Sequence, residues 1–256
     1  MKPIRCLGGS SHRLSAAFAL LAMVLLNGCG ALFVSSPPPL DLPTGAAQQE
    51  QPAENQAWWH ARFRFFWPEG EDPRWHLDLL VADRLVKPVL IEHRDEIALW
   101  RVHRRAGRDG AGHQFSFLFY TNREAARRIL TGLRQAPLIG ELKNAGLLES
   151  IVFDDPDARM ETDIGATSDA HWSMALQNAW PYYIMGVSAM WIELIHQVAG
   201  DDSPSDASPE GLAAYYRKLD QRVDRIWEEE AQHALLHHLN AVFGYRPLMI
   251  QKRMRF

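Results

Sequence analysis

Cysteine is nearly absent from this chain: Cys6 and Cys29 are its only two, both near the amino terminus. No residue beyond Cys29 can join a disulfide or act as a thiolate nucleophile, so folding must draw on the core and any chemistry on other side chains. A basic surplus is missing as well. Lys and Arg number 27 against 31 Asp and Glu, for a formal charge of -4, whereas a nucleic-acid binder needs excess cations to release phosphate counterions. No apolar run approaches the roughly 20 residues of a membrane-spanning helix; the segment from Leu14 to Leu26 has 13. There is no Gly-x-Ser-x-Gly nucleophile elbow. The triplet His93-Arg94-Asp95 lacks a Gly-rich loop and an Asp-Phe-Gly partner, and reads as a helix end.

What is present begins at the amino terminus. Lys2, Arg5 and Arg13 precede the short apolar run, which ends in Leu26-Asn27-Gly28-Cys29. This resembles the lipobox of bacterial lipoproteins. The resemblance implies that residues 1–28 are a signal peptide, that Cys29 carries a diacylglycerol thioether and usually an N-acyl chain, and that the chain is membrane-anchored by lipid. Gly30 stands where the inner-membrane retention signal of that family has Asp, which implies the outer membrane, with the body facing the periplasm. Loss of residues 1–28 would remove three cations and no acid, taking the charge from -4 to -7. Residues 29–56, rich in Pro, Gln and Ser, have too little apolar surface to fold and read as a tether.

Residues 57–155 alternate between strand and helix patterns. Trp59, Ala61, Phe63 and Phe65 interleave with His60, Arg62 and Arg64, the period of a half-buried strand. A helix is predicted from Trp75 to Val86, redirected at Pro88 and continued to about Arg94. Two strands, Ile97 to Ala106 and His113 to Thr121, flank a Gly-rich hairpin loop. Thr121 and Glu124 have capping-box spacing for a helix to about Gln135, a short helix follows Pro137, and Leu147 to Phe153 is a last strand. The order β-α-β-β-α-β predicts an α+β fold, a ferredoxin-like split βαβ sandwich. Residues 156–256 read as an all-helical C-terminal unit. One helix is predicted from Ser168 to Ala179, a second opened by Pro181 and ended by Gly200, and a long one from Ser208-Pro209 to about Phe243; a basic tail from Tyr245 to Phe256 follows.

Strand alternation gathers His60, Arg62, Arg64, Arg101, His103 and Arg105 on the sheet face away from the two helices, beside Gln114, Ser116 and Tyr120. Arginine recognises carboxylate and phosphate in bidentate fashion, so this face is a candidate anion site at Arg62, Arg64, Arg101, His103 and Arg105. The competing expectation is that it packs against the acidic helix carrying Asp220, Asp224 and Glu228 to Glu230. Leu99-Trp100-Arg101-Val102-His103-Arg104, a loop, then His113-Gln114-Phe115-Ser116-Phe117-Leu118-Phe119 is similar to the C-terminal domain of lantibiotic dehydratases and thiopeptide-type biosynthesis proteins, over about residues 58–130. That family alternates arginines where this chain has Gln114, Ser116 and Leu118, so the resemblance speaks to fold alone.

Glu193 with His196, and Glu230 with His233, each set a carboxylate and an imidazole three apart on one helical face, the paired motif of di-iron carboxylate bundles. Those bundles also need a Glu from each of two further helices, which this sequence does not present. The leading expectation is therefore a non-enzymatic outer-membrane lipoprotein that acts as an interaction or accessory protein for an envelope partner, without a cofactor and without nucleic acid. An anion-binding domain is the alternative, and a metalloenzyme built on Glu193, His196, Glu230 and His233 the second alternative.

Overall fold

The computed structural model describes residues 56–158, 161–200, 202 and 204–247. The signal peptide, Cys29, the tether up to residue 55 and most of the basic tail lie outside the described residues. The fold is α+β. Strands β1 (Gln56–Phe65), β2 (Leu99–Ala106), β3 (His113–Asn122) and β4 (Leu148–Phe153) form one antiparallel sheet in the order β2-β3-β1-β4. β1 already starts at Gln56, the last residue assigned to the tether, because Gln56 pairs with Asn122.

Helix α1 (His76–Val81) runs through a π-helical turn, Ala82–Val86, into α2 (Lys87–Glu92). Pro88 explains the turn. A proline ring collides with the carbonyl four residues back and supplies no N–H, so the helix widens just before it. The Lys87 N–H accordingly reaches back to the Ala82 carbonyl, five residues away. Between β2 and β3, Gly112 takes φ +64, as the reversal requires, and Gly107 N–H bonds to its carbonyl at 3.2 Å.

Helices α3 (Arg123–Gln135) and α4 (Pro137–Asn144) follow β3. The start of α3 falls where expected, but Asn122 caps it, its Oδ1 accepting from Ala125 N–H at 2.9 Å. Thr121 is still in the strand, fully buried, and its hydroxyl donates to the Glu96 carbonyl, so no capping box forms. β1 and β3 alternate cleanly on the helix side: Trp59, Phe63, Phe65, Phe115, Phe117 and Phe119 are buried against Leu77 and Leu80 of α1 and Ile129 and Leu130 of α3.

The C-terminal helices depart from the predicted bounds. Residues Ile164–Thr167 form a 3₁₀ turn, and Ser173, not Ser168, caps α5 (Met174–Ala199). Pro181 lies inside α5 rather than opening a second helix; its burial offsets the one backbone bond a mid-helix proline forfeits. Gly200 at φ +55 ends it. The long final helix is broken by a π turn, Trp227–Ala231, into α6 (Pro209–Ile226) and α7 (Gln232–Val242). Ile192, Ile195 and Val198 of α5, with Leu212, Tyr216, Leu219 and Val223 of α6, join the same apolar core as the sheet. α5 also covers the free edge of β2, where Val102 N–H donates to Ser188 Oγ at 3.1 Å, which keeps that edge from pairing with another strand. No helix among the described residues is long and apolar enough to cross a membrane.

Candidate functional site

Antiparallel pairing lines side chains up in rows across the sheet, and paired residues share a face. On the face away from α1 and α3 the rows are Trp58–Tyr120–Leu99, His60–Leu118–Arg101, Arg62–Ser116–His103 and Arg64–Gln114–Arg105. The basic residues picked out by alternation are thus brought together as two columns, on β1 and β2. Between them β3 contributes the shorter Ser116, Gln114 and Leu118. Columns two strands apart stand roughly 10 Å from each other, which leaves a trough over β3.

The trough is closed at one end by the segment after β4. Trp58 Nε1 donates to the Ile164 carbonyl at 3.1 Å, Tyr120 Oη to Thr162 at 3.0 Å and Arg101 Nη1 to Thr167 at 2.9 Å. Below them Trp58, Leu99, Leu118 and Tyr120 form a small apolar cluster of their own with Ile164 and Met185 packed against it. The result is a cleft of about 290 Å³ lined by Trp58, His60, Arg62, Arg101, His103 and Thr167, among others.

The charges in this face are not equivalent. Arg62 bonds Asp154 at 3.0 Å, and the imidazole Nδ1 of His60 bonds the other oxygen of that carboxylate at 2.7 Å. Burial works to raise the Asp154 carboxyl, but the bonds and charges of His60 and Arg62 outweigh it and hold the group below its usual range. Arg64 pairs with Glu149 at 3.0 Å and Arg105 with Asp109 at 2.6 Å. Arg101 alone of these arginines has no carboxylate within salt-bridge distance among the described residues, and its Nε is buried without a partner. Thr167 Oγ1, in the wall of the same cleft, is also buried without a partner among the described residues. Desolvation holds the Arg101 guanidinium below its ordinary value. At the rim, desolvation and then the charges of Arg101 and Arg105 hold His103 below the usual histidine range.

The acidic helix does not cover this face, contrary to the competing expectation. α6 packs on the opposite side of the sheet, where Asp220 lies 3.9 Å from Arg104. The reason is alternation: Arg104 follows Trp100 and Val102 onto the core side, one residue out of phase with Arg101, His103 and Arg105. There it bonds the fully buried Asp78 at 2.8 Å, and its guanidinium lies 5.1 Å from the Trp75 ring and 4.8 Å from that of Trp191. His113 Nε2 bonds the other Asp78 oxygen at 3.1 Å.

A second cleft, about 430 Å³ at the hairpin end, is lined by Arg64, Trp67, Arg108 and Glu149 among others. Its cations are engaged: Arg64 with Glu149, and Arg108 with the carbonyls of Trp67, Pro68 and Glu71 while stacking on Trp67. The proposed metal pairs are not assembled. Glu193 accepts from Gln197 on its own helix, Glu230 lies in the π turn and His233 on α7. Among the described residues no three His, Cys, Asp or Glu gather where a metal could sit.

Sequence reading missed Asp154, which follows the last predicted strand, and Trp58, Leu118, Glu161 and Thr167 of the cleft. It also passed over Asp78, Arg104 and His113. For the last two a signal existed, since both fall in phase with core residues of their strands, and a polar side chain there needs a buried partner.

That buried network makes a pH prediction. Burial first, then the charges of Arg217 and Arg74, lower His76 from 6.5 to about 4. Burial first, then Asp224, raises Asp220 from 3.8 to about 6. Between pH 6.5 and 4 the unfolded chain binds the His76 proton and the folded one does not, so stability falls as pH falls. Between pH 6 and 3.8 the folded chain holds the Asp220 proton and the unfolded one does not, so stability rises as pH falls. The two effects, each of order 3 kcal/mol, offset one another in the wild type. Asp220→Asn is expected to raise stability at pH 7 and to expose the full acid loss due to His76. Denaturant titrations at about pH 7, 5.5 and 4 check this; a variant whose pH profile parallels the wild type would disprove the assignment.

Set against known proteins, the chain matches no family model, no curated protein and no solved structure.

Proposed function

We propose that this chain is an outer-membrane lipoprotein, anchored through Cys29, whose periplasm-facing body is a non-enzymatic binding module for a small anion held on the open sheet face. The observation that carries the binding reading is Arg101: a half-buried guanidinium with no carboxylate partner among the described residues and an orphaned Nε in the wall of a cleft. A buried donor left unmade is expensive, and an anionic ligand is what would satisfy it. The strand order β2-β3-β1-β4 supports a ferredoxin-like body. An envelope protein partner is supported by α7 and its flanks, where Trp227, Leu236, Val242, Phe243 and Tyr245 stay exposed.

The anchor is tested by Cys29→Ser. The wild type is expected to incorporate labelled palmitate and to sediment with the outer membrane, and the serine variant to do neither; a serine variant that still labels and sediments disproves the anchor. The anion site is tested by melting the wild type and Arg101→Gln with and without carboxylate and phosphate compounds. Stabilisation by an anion in the wild type alone is expected. No anion response in the wild type would refute the binding reading.

A further inference from the structure

We propose that the sheet-face cleft selects a singly charged carboxylate over a dianion such as sulfate or phosphate. The inference rests on the anion-site reading above and narrows it from the charges already in place. Asp154 accounts for Arg62 and His60, Glu149 for Arg64 and Asp109 for Arg105, each by a contact of 3.0 Å or less. Arg101 is left as the one arginine of this face with no carboxylate in contact among the described residues. His103 stands at the rim, where desolvation and the charges of Arg101 and Arg105 disfavour its proton. Glu161 also lines the cleft, so a second negative charge on the ligand would face a carboxylate that has no cation in contact among the described residues, in a partly desolvated site where such repulsion is least screened.

The donors agree with the charge. Arg101 Nε and Thr167 Oγ1 are the two buried polar atoms of the cleft that have no partner among the described residues. Ser116 Oγ accepts from Gln114 Nε2 at 2.9 Å, which leaves its own hydrogen to donate. The Nε edge of the Arg101 guanidinium presents two parallel N–H donors, which match the two oxygens of a carboxylate; each further oxygen of a tetrahedral oxyanion that is desolvated without a donor counts against binding. Trp58 and Leu118 supply an apolar wall beside these donors. An acid carrying a short apolar or aromatic substituent fits that combination, whether a free acid or the carboxylate end of an apolar peptide.

Calorimetric titration of the full chain with propionate, benzoate, sulfate and inorganic phosphate, at about pH 8 so that phosphate is largely dianionic, tests the selection. Tetra-alanine with a free or an amidated carboxyl end separates a peptide end from a free acid. Propionate or benzoate is expected to bind at least about tenfold tighter than sulfate or phosphate, equivalent to about 1.4 kcal/mol. Arg101→Gln is expected to weaken that binding at least about tenfold. Thr167→Val, which keeps side-chain size and removes the hydroxyl, is expected to weaken it by a smaller factor, and it decides the matter if Arg101→Gln does not fold. Sulfate or phosphate binding as tightly as the carboxylates, at a site sensitive to Arg101 or Thr167, overturns the selection and leaves the anion site standing. Absence of binding by every probe, or binding indifferent to both substitutions, overturns the anion site itself.

Discussion

Replacing Asp78 by alanine is expected to lower the unfolding free energy by about 3 to 5 kcal/mol, the range for removing one member of a buried ion pair. Asp78 is fully buried and is the only carboxylate within 3.5 Å of either Arg104 or His113 among the described residues. Without it, Arg104 keeps the flanking rings of Trp75 and Trp191 and a distant Asp220 at 3.9 Å, while His113 loses its one hydrogen-bond partner. The penalty comes from those two stranded groups more than from the lost attraction. Asp78→Ala combined with Arg104→Met should therefore recover part of the loss, since the double variant no longer strands the Arg104 guanidinium. Equilibrium denaturation of the wild type, the single variant and the double variant measures both effects. A single-variant loss below about 1 kcal/mol would mean that water reaches Arg104.

Phe117→Ala is expected to cost about 3 to 5 kcal/mol as well, through lost transfer energy and the cavity left behind. Phe117 has no exposed surface, stacks on Phe119 with ring centroids 5.1 Å apart and pairs with Ala61 and Val102 at the centre of the sheet. Gln114→Ala, three residues earlier on the same strand, changes the opposite face, where the side chain is half-buried and bonds Ser116. Its cost should stay within about 1 kcal/mol. The contrast tests strand register, because a slip by one residue exchanges the faces. Comparable small losses at both positions would refute the pairing of β3 with its neighbours.

The period-two alternation in β1, β2 and β3 was legible because a strand's faces follow from covalent geometry alone. Thus Arg62, Arg101 and His103 could be assigned to one face without any tertiary knowledge. Applied strictly, the same rule places Arg104 and His113 on the other face; they were overlooked because charged residues are not sought in a core. The helix limits were less legible. Ser168 and Ser173 are equally good caps by residue type, and only the hydrogen bond from Leu176 N–H to Ser173 Oγ and the 3₁₀ turn ahead of it distinguish them. Proline at position 181 reads locally as a helix start, but α5 runs straight through it with the proline itself buried.

What lay in the sequence by itself was everything governed by near neighbours: the lipobox-like end at Cys29, the strand faces, the hairpin glycine and the acidic balance. Which charges cancel was decided only by tertiary structure. Asp154 is 92 residues from Arg62, Asp78 is 26 from Arg104, and Thr167 is 66 from Arg101. Pairing at such separations depends on strand order and on which side of the sheet α6 packs, and no local pattern encodes either. A charge's energy depends on burial and on the nearest counter-charge. Of four arginines that look alike in sequence, the fold pairs three with a carboxylate and leaves Arg101 without one among the described residues.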